Sequence, residues 1–203
     1  AITMALSSSF GMGNSYFRIG ATKEMCVDTV PFGCFRREVF DKIGLFDEEL
    51  VRNQDDEFNG RIVKNGGKIY LIPSLVIDYY ARDTVGKVRK MFYQYGLFKP
   101  LVNKKLGTPA TLRQFFPLCF VAGLIVGGVL SLFFKAVAWL YLCVIALYLL
   151  LAFVFALKET RKMREMLILV GVFFTIHVSY GWGYLRGIWK IVIGQSFTAN
   201  VNR

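Results

Sequence analysis

The chain has 203 residues, 55% of them hydrophobic, with a formal net charge of +11 and a mean hydropathy of +0.45. A soluble domain of this size rarely joins so much apolar content to so much positive charge, and the pairing points to the inner leaflet of a membrane. Nucleic acid, the other common partner of a basic chain, is excluded by pattern: many Lys and Arg residues flank apolar runs instead of gathering with aromatics on one exposed surface.

In chain order, Ile2, Met4 and Leu6 read as the end of a helix already under way. With Ala at position 1 and no secretory signal peptide, the expectation is the C-terminal part of a longer protein. Residues 9–14 (S-F-G-M-G-N) form a small-residue loop. Residues 25–30 suggest a strand and 36–42 a short helix, stopped at Gly44. Asn53 then caps a helix whose first turn holds Asp55, Asp56 and Glu57, where the macrodipole favours acids. On spacing alone this cluster is an ordinary helix start as readily as a site, because no His or Cys stands nearby. The helix continues amphipathically over 58–64, with Arg61 either pairing on its surface or orienting the acids, and ends at Asn65-Gly66-Gly67. Residues 68–72 and 75–80 are strand-like runs split by Pro73-Ser74, and about 85–98 form a basic, aromatic helix suited to a membrane interface. An αβ alternation emerges for residues 1–112.

Beyond residue 112 the composition changes, and 113–203 reads as a helical membrane region. Residues 115–134, 136–157 and 166–185 are apolar runs, each long enough to cross a hydrocarbon core of about 30 Å as a helix. Lys135 alone separates the first two, while Lys158, Arg161, Lys162 and Arg164 crowd the second connection. Positive-inside reasoning puts that connection, and the N-terminal domain with it, in the cytoplasm. A third crossing leaves Arg186, Lys190 and Arg203 outside, against the same rule, so the last run is open between spanning, re-entrant and interfacial. Gly123-xxx-Gly127 and Gly183-xxx-Gly187 suit close helix approach. His177 is read as a neutral ring hydrogen-bonded between helices, with contact to a lipid phosphate as the alternative, and Trp182, Tyr184 and Trp189 as an interfacial belt. Cys26, Cys34, Cys119 and Cys143 have no metal-ligand spacing and read as a reduced, metal-free set.

The run from Pro31 to Arg61, with its elements G-C-F-R-R-E-V-F, I-G-L-F-D-E-E-L and Q-D-D-E-F-N-x-R, resembles the acceptor half of family 2 glycosyltransferases, in particular the bacterial, membrane-anchored, succinoglycan type. The resemblance implies the C-terminal part of a GT-A-like α/β domain followed by about three membrane helices. It makes Asp55 the catalytic base of an inverting hexosyl transfer, with Asp56 next in line and Gln54 and Glu57 supporting the site. A carboxylate suits that task because the acceptor hydroxyl must lose its proton as it attacks the anomeric carbon. Phe32, Gly33 and Cys34 match the segment lining the acceptor pocket, residues 9–14 the loop beside the donor, and Gln94-Tyr95-Gly96, distantly, a gate that here lacks its Arg-Trp and so speaks against processive polymerisation. The implied partners are a nucleotide-sugar donor, a polyprenyl-linked glycan acceptor and membrane lipid, at the cytoplasmic face of the cell membrane. A divalent cation, Mg or Mn, is implied for the full-length enzyme, its ligands mostly outside this chain, and the chain alone is expected to be inactive. The competing reading is a non-catalytic membrane interaction module of a polysaccharide assembly complex. A transporter or channel is weakened by the few polar residues in the three apolar runs.

Overall fold

The computed structural model describes residues 1–109 and 111–197. Three short helices open the chain, α1 (Ile2–Ser7), α2 (Ser9–Met12) and α3 (Tyr16–Ile19), followed by strand β1 (Met25–Val27) and helix α4 (Arg37–Ile43). Gly44 stops α4 at φ +82°, a left-handed backbone that glycine adopts without the Cβ clash. Helix α5 (Gln54–Lys64) carries the acidic cluster in its first turn, as its spacing predicts. Asn53, however, sits in the left-handed region at φ 62° and makes no side-chain cap; its amide donates to the Tyr95 carbonyl, so it ties α5 to another element instead.

Strand β2 (Ile69–Leu71) pairs antiparallel with β1, Cys26 opposite Tyr70, and this pair is the only sheet among the described residues. The α/β expectation for residues 1–112 is thus corrected, among the described residues, to a mostly helical arrangement with one small sheet whose two antiparallel strands are joined through α4 and α5. The strand expected over 75–80 does not form. Pro73 interrupts the chain after β2, and no neighbouring strand offers a ladder, so Leu75, Val76 and Tyr80 stand exposed.

Under the sheet lies an aromatic core in which Phe58, fully buried on α5, meets Phe46, Phe40 and Phe35 at ring separations of 4.4, 5.2 and 4.9 Å. Burying such a ring contributes roughly 1.5–3 kcal/mol. The core holds α4 and α5 together, and thereby sets the first turn of α5.

Helix α6 (Val85–Leu106) exceeds its expected end by eight residues, running through Pro100 to the glycine stop at Gly107. A single turn of 3₁₀ helix (Leu112–Gln114) leads into α7 (Phe115–Ser131), then α8 (Lys135–Glu159) and α9 (Met163–Val192). All three are long and apolar enough to cross a membrane, the first counted together with the 3₁₀ turn. Helix α9 is unbroken, so a re-entrant turn within it has no place to form.

Packing crosses the change in composition near residue 112. One core joins Ala5 and Leu6 of α1 and Val88, Met91 and Phe92 of α6 to Tyr148 and Ala152 of α8 and Leu169, Phe173 and Ile176 of α9. Glycines let α6 and α9 meet backbone to backbone: a Cβ on Gly96 would overlap the Tyr180 carbonyl, and one on Gly183 the Tyr93 carbonyl. Of the two small-residue pairs read from the sequence, Gly183 and Gly187 both face α6, whereas Gly123 faces open space.

Candidate active site

A cleft of about 560 Å³ opens where α5, α6 and the last three helices converge. Its polar lining includes Asn53, Asp55 and Asp56 from the start of α5 and Lys99 from α6; its apolar lining includes Phe116, Leu151, Phe155 and Ile176 of the last three helices. Most drug-sized and cofactor sites share this plan of apolar walls with a few converging polar groups.

The two aspartates differ. The Lys99 ammonium, its side chain only 9% exposed, binds the Asp56 carboxylate at 2.8 Å. Asp55 has no ion-pair partner among the described residues and faces the cleft. Although solvent reaches it, the surrounding walls desolvate its charge and, second, Asp56 repels it, so its carboxyl is raised above the ordinary value. A carboxylate raised this way holds a proton more readily, which a general base requires.

Glu57 points elsewhere. It is 4% exposed and receives both Nε and Nη2 of Arg61, at 2.7 and 2.9 Å, while the same guanidinium donates to the Ile43 and Leu45 carbonyls. The helix ion pair expected of Arg61 therefore forms, with one acid of the cluster, but its carboxylate is buried and the pair clamps α5 to the end of α4. Gln54 is exposed, and Phe32, Gly33 and Cys34 lie off the cleft wall, Phe32 74% exposed on a left-handed backbone. The cleft therefore brings together Asp55 and Asp56 from the expected set, along with the loop Ser9–Gly13.

Among the wall residues, Arg113 carried no functional reading at the level of sequence, and Tyr95 and His177 only secondary ones. Arg113, just before α7, donates to Asp28 at 2.8 Å and to Asn14, joining the head of the first apolar helix to β1 and the α2–α3 loop. Tyr95 also lines the cleft; burial raises its hydroxyl, against the positive charges of Arg18, Arg52 and Arg82. A weak signal for this wall existed in the basic, aromatic character of α6. His177 sits on the cleft wall, its Nε2 at 2.9 Å from the Phe10 carbonyl and its Nδ1 at 2.9 Å from the Tyr148 hydroxyl. A carbonyl only accepts, so Nε2 carries hydrogen, and in the neutral ring the Tyr148 hydroxyl donates to Nδ1. The ring is hydrogen-bonded between α8 and α9, as expected, and also to α2.

No family model and no solved structure matches the chain. Among curated proteins it is similar to a dolichyl N-acetyl-alpha-D-glucosaminyl phosphate 3-beta-D-2,3-diacetamido-2,3-dideoxy-beta-D-glucuronosyltransferase of Methanococcus voltae, 27% identical over 169 residues, covering 80% of this chain and 48% of the relative. It is also similar to the succinoglycan biosynthesis protein ExoA of Rhizobium meliloti (strain 1021), 28% identical over 132 residues, covering 65% of this chain and 39% of the relative. The chain thus spans about half the length, or less, of the curated relatives it matches. These similarities, over most of the chain, bear out the resemblance read from residues 31–61 and make it a relative of glycosyltransferases of glycan and exopolysaccharide synthesis.

Proposed function

We propose that the protein containing this chain is an inverting glycosyltransferase of the family 2 type, which moves a sugar from a nucleotide-sugar donor to a polyprenyl-linked glycan at the cytoplasmic face of the cell membrane. In this reading residues 1–112 are the C-terminal part of a GT-A-like catalytic domain and 113–203 its membrane region. The observation that carries it is the mixed lining of the cleft: Asp55 opens onto a space also lined by residues of three helices apolar enough to enter a bilayer. A lipid-linked sugar has the same mixed character, with a polar head and an apolar chain that stays in the membrane.

Asp55 is the base. It takes the proton of the acceptor hydroxyl as that oxygen attacks the anomeric carbon; the bond to the nucleoside diphosphate breaks from the opposite face, and the configuration inverts. Lys99 holds Asp56, which leaves Asp55 to act.

The divalent cation implied by the resemblance is expected to draw its ligands mostly from outside this chain. Among the described residues no group of three or more His, Cys, Asp or Glu side chains could hold a metal, and Asp56 is engaged by Lys99. No step is assigned to a cation in this chain.

The test is transfer from a panel of radiolabelled nucleotide sugars into membrane lipid, using the full-length protein and its Asp55→Asn form. Loss of a proton-transfer group lowers the rate roughly 10²–10⁴-fold, with expression and membrane insertion unchanged. Equal labelling by both forms removes Asp55 from the role, and no transfer by either across a broad panel favours the interaction module.

A further inference from the structure

Three Lys or Arg side chains line the cleft, and two are neutralised: Lys99 by Asp56 and Arg113 by Asp28, each at 2.8 Å. Arg18, on α3, is the third. Among the described residues it has no acid partner and no hydrogen-bond acceptor; its guanidinium lies over the Tyr79 ring, 4.4 Å from the centroid. Stacking occupies the face of a guanidinium and leaves its five edge N–H groups for a ligand.

Arg18 is not alone. Arg52 donates its Nε to the neutral Gln94 Oε1 at 3.0 Å, and neither Arg52 nor Arg82 forms an ion pair among the described residues. Arg18 shares the cleft lining with Tyr95, the residue after Gln94, so Arg52 stands next to that wall through Gln94, whereas Arg82 lines a separate pocket. A guanidinium without a carboxylate partner raises the local potential, which an anion relieves. Planar forks of N–H donors match phosphate oxygens bidentately.

The same cleft continues past Tyr95 into the apolar wall of Phe116, Leu151, Phe155 and Ile176. We propose that Arg18, supported by Arg52, is a phosphate-binding site for the phosphate or diphosphate of a lipid-linked substrate, whose hydrocarbon chain lies along that apolar wall. This deepens the acceptor reading above and rests on it for the identity of the substrate, but not for the binding itself. A nucleoside diphosphate offers the same phosphate chemistry without the chain, so the two sources separate by experiment.

The full-length protein in phosphatidylcholine vesicles is tested for retention of radiolabelled polyprenyl phosphate, without sugar donor, alongside its Arg18→Gln and Arg18→Lys forms and with uridine diphosphate as soluble competitor. Removing a charge-assisted hydrogen bond of this kind weakens binding roughly tenfold to a hundredfold. The expected result is that loss in Arg18→Gln, partial recovery in Arg18→Lys, which keeps charge but not the fork, and little displacement by uridine diphosphate. Should Arg18→Gln fail to fold, as judged by its thermal midpoint, Arg52→Gln carries the same expectation. Unchanged retention in the folded variants overturns the site, and displacement by uridine diphosphate at concentrations matching the lipid overturns its assignment to a lipid-linked phosphate. Retention is read without sugar donor, so a failure of the transfer reading leaves this result standing, and the reverse also holds.

Discussion

Helices α8 and α9 look alike in sequence, both long apolar runs, yet they are used differently. Helix α8 fully buries only Tyr148, Ala152 and Ala156, a stripe at four-residue spacing flanked by the partly buried Phe153, Phe155 and Leu157, and exposes most of its remaining apolar surface. Helix α9 buries residues along most of its length, with Gly183 and Gly187 set against α6 and Gly181 against the Pro117 carbonyl of α7. Apolar content therefore selects a lipid-compatible helix, while the placement of small residues selects which face meets protein. In a bilayer that is the expected division, because lipid is as apolar as leucine and only close packing distinguishes a helix neighbour from a lipid.

The largest expected difference between the two helices comes from the buried ring of α9. Phe173→Ala should lower stability by about 3–5 kcal/mol, whereas Leu150→Ala, on the exposed side of α8, should stay within about 0.5 kcal/mol. Thermal unfolding in detergent measures both, and equal losses would undo the contrast. The glycines sharpen it further. Gly183→Ala drives a Cβ into the backbone of α6 and should cost about 1–3 kcal/mol, but Gly123→Ala on α7, where nothing lies within 4 Å, should gain up to about 1 kcal/mol from helix propensity. One substitution with opposite signs is a stringent check on the α6–α9 seam.

The smallest effect lies at the cleft that the seam supports. The raised carboxyl of Asp55 means that the folded chain holds this proton more tightly than the unfolded one, so Asp55 costs stability as pH rises from its ordinary value of 3.8. Asp55→Asn should therefore be more stable than the unaltered chain near neutral pH, with the gap closing in acid below 3.8. Denaturant titrations at several pH values read this directly, and a gap that widens in acid would contradict the placement of Asp55. The substitution proposed to slow transfer would then stabilise the protein, the pattern expected of a group held for chemistry.

Much of the local structure was legible from composition and spacing. Acids in a first turn, glycines after helices and apolar runs of membrane length act within a few residues of themselves, and α4, α5 and the three apolar helices appear where those signals fall. The strand over 75–80 misled because its residues suit a strand but no partner strand stands beside them, and a ladder needs two. Asn53 misled similarly: its type suits a cap, yet its bond to Tyr95 spans 42 positions.

The sequence by itself determined that an acidic helix start precedes a membrane region, and residues 31–61 named the relatives. Only the tertiary structure decided which acid stays unpaired, because most of the pairs that shape the cleft join distant residues: Asp56 with Lys99, Asp28 with Arg113, Phe10 with His177. Pairing Asp56 left Asp55 alone in the cleft, and pairing Glu57 with Arg61 removed it to a structural clamp. Three neighbouring acids of one helical turn point in different directions, and which charge remains unpaired depends on elements that folding brings to them.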